Sequence, residues 1–123
     1  MSTIRPHAWL GLLAAALAAA GCGGKAEYLA EPDKAATILE ETLAAWRDGA
    51  ACEDLRKRKP PVHVADERWL RGTKLDSFTI RKGVPFGPST RFAVTLEGPP
   101  PLGKKEVVYT VSTQPAISVA LGD

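Results

Sequence analysis

The hydrophobic period of this chain changes at Pro60-Pro61, and that change limits the folds open to it. Before the prolines, Ala35, Ile38, Leu39, Thr42, Leu43, Trp46 and Ala50 recur at helical spacing. Pro32 and Asp33 suit a first helical turn, and Gly49 suits a stop. The spacing predicts an amphipathic helix from about Pro32 to Asp48. A second, shorter helix is predicted from about Ala51 to Arg58, ended by the prolines. After them the period is two. Val62 and Val64 alternate with His63 and Ala65. Phe78 and Ile80 alternate next, then Phe92, Val94 and Leu96, then Val107, Tyr109 and Val111, then Ile117, Val119 and Leu121. Leu75 is out of phase with Phe78, which predicts a bulge near Asp76-Ser77. Trp69 falls in a short helical turn or an early strand. Segments rich in Gly and Pro separate the runs, including 82–88 and 98–104. Connections this short suit antiparallel neighbours. The expected class is α+β: one long N-terminal helix, plus a short second helix, packed on a curled four- to five-stranded antiparallel sheet. Ile38, Leu39, Leu43 and Trp46 would meet Phe92, Val94, Tyr109, Val111 and Val119.

The region ahead of Pro32 has a different character. Arg5 precedes an uncharged, mostly apolar run from Ala8 to Ala20, and Gly21-Cys22 follows it. The run is the length of a secretory h-region, about 7–15 residues, and short of the about 20 needed to span a bilayer. Ala18-Ala19-Ala20 would also suit an ordinary cleaved signal. The Gly21-Cys22 pair resembles a bacterial lipoprotein signal peptide and lipobox. That resemblance divides the chain into a signal peptide (1–21), a tether (22–31) and an α+β domain (32–123). It implies lipidation at Cys22, membrane lipid as a partner, and a lipid-anchored place in the cell envelope, on the periplasmic face or at the outer membrane. Gly23, where enterobacterial retention would want Asp, resembles outer-membrane cargo.

Loss of residues 1–21 would leave 102 residues, enough for one domain. The chain carries 16 Lys+Arg and 14 Asp+Glu, and the signal takes only Arg5. A balance this near neutral gives no electrostatic footprint for nucleic acid. With Cys22 lipidated, Cys52 has no intrachain partner and reads as a small buried hydrophobe ahead of a reactive thiol. Arg56-Lys57-Arg58-Lys59 is a run of four basic residues. It reads first as a solvated helix end, and second as a contact with anionic head groups or cell-wall polymer.

The order of elements resembles the cystatin-like and NTF2-like α+β roll. The stretch Pro60-Pro61-Val62-His63-Val64-Ala65-Asp66, with Trp69, Gly72 and Leu75, is similar to small envelope proteins of Planctomycetes. The ending Val108-Tyr109-Thr110-Val111-Ser112-Thr113-Gln114-Pro115-Ala116-Ile117-Ser118-Val119 adds to the likeness. The resemblance covers most of residues 33–121 and carries over no functional residue. The cystatin inhibitory segment Gln-x-Val-x-Gly is absent.

Candidates for chemistry are few. His63 is the one histidine beyond the signal, and it would need Asp66 or Asp76 to orient it as a general base. No Cys/His set has metal-ligand spacing, and no Gly-rich phosphate loop or G-x-S-x-G elbow is present. No catalytic, cofactor or metal residue is therefore assigned. Trp46, Trp69, Tyr109, Phe78, Phe86 and Phe92 read as core before they read as a pocket lining. The expected function is a membrane-anchored, non-catalytic binding or scaffold domain with an envelope protein or cell-wall partner. The alternative is a small NTF2-like enzyme with a pocket under the helix. Cys22→Ala should abolish acyl labelling and release the protein from membranes. Labelling that survives the change would refute the lipoprotein reading.

Overall fold

The computed structural model describes residues 28–122. Cys22 and the signal segment lie outside the described residues. Helix α1 (Pro32–Arg47) opens with Pro at its first turn and Asp33 beside the positive end of its dipole. Ala35, Ile38, Leu39, Thr42, Leu43, Ala45 and Trp46 form its buried stripe. Helix α2 (Cys52–Arg56) buries Cys52 and Leu55. It is followed by strand β1 (Val62–Ala65), helix α3 (Glu67–Leu70) and strands β2 (Ser77–Ile80), β3 (Val84–Phe86), β4 (Ser89–Gly98), β5 (Gly103–Ser112) and β6 (Ile117–Gly122). Among the described residues, no helix is long and apolar enough to cross a membrane.

The six strands form one mixed sheet in the order β1-β6-β5-β4-β2, with β3 also paired to β4. This corrects the expected antiparallel sheet of four or five strands. Strand β1 runs parallel to β6, from Val62 beside Ile117 to Ala65 beside Ala120. Short connections favour antiparallel pairing only between strands that follow one another in the chain. Strands β1 and β6 are separated by the rest of the sheet, so no turn sets their relative direction. Strand β3 is a second addition, formed by a segment expected to be a turn. Leu75 lies ahead of β2, whose register from Ser77 beside Glu97 to Ile80 beside Val94 is unbroken, so no bulge is needed.

The packing of the helices also differs from the expected long helix with one short second helix. Only α1 exceeds two turns, and two short helices and two loops complete the cover. Leu55 of α2, Trp69 of α3, and the loop residues Leu75 and Leu102 all enter the core cluster with the α1 stripe. That cluster also takes Phe92, Val94 and Leu96 from β4, and Tyr109 and Val111 from β5. The opposite face of the sheet carries exposed His63, Ala65, Arg91, Ala93 and Glu106.

Two tryptophans join the helical pieces. Trp46 of α1 and Trp69 of α3 stack with ring centroids 5.5 Å apart and planes 10° apart. The Trp46 indole N–H donates to the Thr73 carbonyl and that of Trp69 to the Ala50 carbonyl, each at 2.8 Å. Each ring thus packs on the other while its polar edge fastens a loop. Trp46→Ala should destabilise the protein by about 3–5 kcal/mol, read as a lower denaturant midpoint.

The β3–β4 corner is packed closely. A Cβ at Gly83 would stand 2.5 Å from Phe92 Cε1 and 2.7 Å from Thr90 Cγ2, so Gly83→Ala should destabilise. Thr90 is fully buried, and its hydroxyl has no hydrogen-bond partner among the described residues. Thr90→Val keeps the shape and removes the unsatisfied group, so it should raise stability by about 1 kcal/mol or more. Thermal melts of the two variants should move in opposite directions.

Candidate functional site

Asp66 stands where β1 ends and α3 begins. One carboxylate oxygen, Oδ1, accepts the backbone N–H groups of Arg68 at 3.0 Å and Trp69 at 3.4 Å, which caps α3. The other, Oδ2, accepts the Tyr109 hydroxyl at 2.6 Å. Asp66 is 2 % exposed and Tyr109 1 %. Tyr109 sits between Val107 and Val111 on the inner face of β5. A buried phenol on an apolar face requires a hydrogen-bond partner, and Asp66 is that partner. The pair ties β5 to the β1–α3 junction. Residue types alone carried a partial signal: an Asp just ahead of a short Glu-Arg-Trp-Leu helix is a good N-cap, and a Tyr inside a valine run needs an acceptor.

Burial, the Asp66 charge and the hydrogen bond to Asp66 together push the Tyr109 phenol far above its ordinary range. Burial first, and then the charges of Asp66 and Glu53, push the Cys52 thiol up to about 11. Both groups are held in their neutral, protonated forms. A phenol so reluctant to ionise is a poor proton-transfer group near neutral pH, and a thiol that stays protonated is a poor nucleophile. The structure uses this cluster for cohesion.

Beside the pair lies an open groove of about 760 Å³. Its floor includes Val107, Val108 and Leu121, and Arg68, Arg71 and Glu106 stand among its walls. Leu70 lines it and is 59 % exposed. Strand geometry explains the opening. Strand β6 ends at Gly122 beside Val108, whereas β5 continues back to Gly103. The first part of β5 therefore has no neighbour on that side among the described residues, and α3 flanks the gap. A smaller groove of about 570 Å³ borders the Trp46–Trp69 stack and also reaches Leu70. Trp46 and Trp69 are only 4 % and 6 % exposed, so neither serves as a ligand platform.

The residues proposed for general-base chemistry are not brought together. His63 is exposed on β1, and Asp76 is exposed just ahead of β2. Those strands lie at opposite ends of the sheet order, four strand spacings or about 19 Å apart. Asp66 is nearer to His63 in sequence, but its carboxylate is occupied by Tyr109 and the α3 backbone. Among the described residues, no three His, Cys, Asp or Glu side chains gather as a metal site. The basic run 56–59 is exposed at the end of α2. No protein-family model, curated protein or solved structure matches the chain.

The raised pKa values set the pH response. A group whose folded pKa is raised stabilises the fold fully below its unfolded value and ceases to do so as pH rises through the folded value. For Cys52 that window runs from its ordinary value of 9.0 to about 11. For Tyr109 it begins at the ordinary 10.0 and extends upward. The denaturant midpoint should therefore fall as pH climbs above about 9. Cys52→Ala should remove the first part of that fall. Tyr109→Phe should remove the later part and also weaken the fold at neutral pH by about 1.5–3 kcal/mol, the usual worth of a hydrogen bond to a charged group.

Proposed function

We propose that this protein is a lipid-anchored envelope protein whose domain acts as a non-catalytic binding or scaffold module, with the groove beside α3 as its recognition site. One observation carries the recognition half. The groove combines an exposed leucine, half-buried valines and a leucine, and charges of both signs, next to a stretch of β5 that lacks a neighbour on one side among the described residues. Such a surface suits an extended protein segment, which would bond to the strand backbone and place alternate side chains in the groove. The polar groups beneath it, Asp66 and Tyr109, serve the fold and leave the groove walls to make the contacts. Cys22, following its apolar run, supports the anchoring half.

A photo-crosslinking residue placed at Leu70 in the intact envelope provides the test. A discrete adduct is expected from Leu70 and none from His63, which lies on the outer face of β1. Arg68→Ser with Arg71→Ser should reduce the Leu70 adduct without changing the melting curve, because Arg71 is exposed and Arg68 is partly so. Equal crosslinking from Leu70 and His63 would remove the groove as the recognition site.

A further inference from the structure

We infer that the pole of the domain opposite the groove is a docking surface for anionic phospholipid, built to lie against the bilayer. The inference rests on the anchoring half of the proposed function and adds an orientation to it. The sheet gives the domain two ends. At one end β6 stops, β4 turns into β5 at 98–103, and α3 borders the groove. At the other, β5 ends at Ser112, β6 starts at Ile117, β1 starts at Val62 and the β3–β4 turn stands beside Ser89. Ser89 and Ser112 meet there at 2.6 Å.

Three exposed features converge on this second end. The first is the start of the described chain. The Thr113 hydroxyl donates to Glu31 Oε1 at 2.5 Å, which holds the entry to α1 against the end of β5. Leu29 and Tyr28, 76 % and 43 % exposed, precede it. The second is the basic run 56–59, which leads through Pro60-Pro61 into Val62, so that Lys59 lies within about 10 Å of the start of β1. The third is strand β3, where Val84 and Phe86 are 63 % and 50 % exposed. The Arg91 guanidinium lies over the face of the Phe86 ring, 3.5 Å from its centroid, which pairs a cation with an aromatic side chain at the rim. Strands β1 and β3 stand about 19 Å apart across the sheet, so the features share one footprint.

Charge and chain length select the occupant. Lys34 and Lys82 are exposed near this end and add to the run 56–59. Of the nearby acids, Glu31 is engaged by Thr113, and Asp54 accepts the Ala51 N–H at 3.0 Å; Asp33 and Glu53 stay exposed, two acids against the six bases Lys34, Arg56, Lys57, Arg58, Lys59 and Lys82. Each basic side chain close to an anionic bilayer strengthens binding about fivefold. Aromatic and aliphatic side chains among the bases add insertion at the head-group boundary. Cys22 is six residues ahead of Tyr28, a reach of at most about 22 Å. An acylated Cys22 would therefore keep this end close to the membrane, and the basic and apolar side chains around it turn the groove away.

The test uses the chain as purified from bacterial membranes, with acylation of Cys22 read by mass. Amide hydrogen exchange is compared in phosphatidylglycerol-rich and phosphatidylcholine vesicles. Segments 56–59 and 84–87 should be slowed in the anionic vesicles alone, with the 98–103 turn unchanged. Replacing residues 56–59 together by serine should abolish that protection, and raised salt should do the same to the native chain should the variant not fold. Equal exchange of both segments in the two vesicle types would overturn the inference, as would equal protection of the 98–103 turn. If the mass shows an unmodified Cys22, the anchoring reading fails separately. The surface is then tested by sedimentation of the same chain with vesicles. Co-sedimentation with phosphatidylglycerol that the serine variant loses by about tenfold or more supports the surface, and equal sedimentation of parent and variant refutes it.

Discussion

The hydrogen bond from Tyr109 to Asp66 joins parts of the domain that otherwise have little reason to stay together. Strand β1 is four residues long and stands at a sheet edge, and α3 is also four residues long. Neither element is stable in isolation. Asp66 belongs to both, as the residue after one and the cap of the other, and its second oxygen reaches a phenol on the fifth strand. A carboxylate this buried is tolerable only with its acceptor sites filled. Two backbone N–H groups and one hydroxyl fill them. Once α3 is fixed, Trp69 is fixed, and Trp69 stacks on Trp46 at the end of α1. The long helix, the short helix and the strand edge are thus connected through one ionisable side chain.

The same connection limits what the interior can do chemically. Tyr109 and Cys52 are the strongly shifted groups near Asp66, and both shift toward the protonated form. Shifted pKa values often mark active sites, but Tyr109 is buried and bonded to Asp66, and Cys52 is buried and held as the thiol. The open surface lies next to them, in the groove where β6 stops short of the start of β5. Sealed polar groups that hold a backbone, beside an open apolar and charged groove, make a rigid frame for recognition.

Strand positions were readable from residue order wherever the apolar period was strict. Phe92, Val94 and Leu96, and Tyr109 and Val111, are buried on one face of their strands. Trp46 is buried as its place on the α1 stripe required. Direction and pairing were readable for consecutive strands such as β4 and β5 but not for β1. Val62 and Val64 look alike whether their neighbour is the next strand or the last, and only the folded sheet reveals the parallel partner β6. Strand β3 was hidden because Val84, Pro85 and Phe86 are all exposed, so burial imposes no alternation on it. The groove was hidden for a related reason: it follows from where β6 ends relative to β5, a register that composition does not encode. His63 attracted notice as a rare residue type, whereas Asp66 is one acid among 14 and its role depends on a tyrosine far along the chain.

The parallel pairing of β1 with β6 bears on how the domain survives proteolytic trimming. The strand nearest the front of the domain has its sheet neighbour at the very back. A cut inside β6 removes that neighbour, which is the only strand paired with β1 among the described residues, and α2 packs against β1. Damage at the last strand therefore spreads directly to the first. The domain has an all-or-none character: a clipped copy exposes Val62, Val64 and Leu55 together and becomes an easy substrate for clearance.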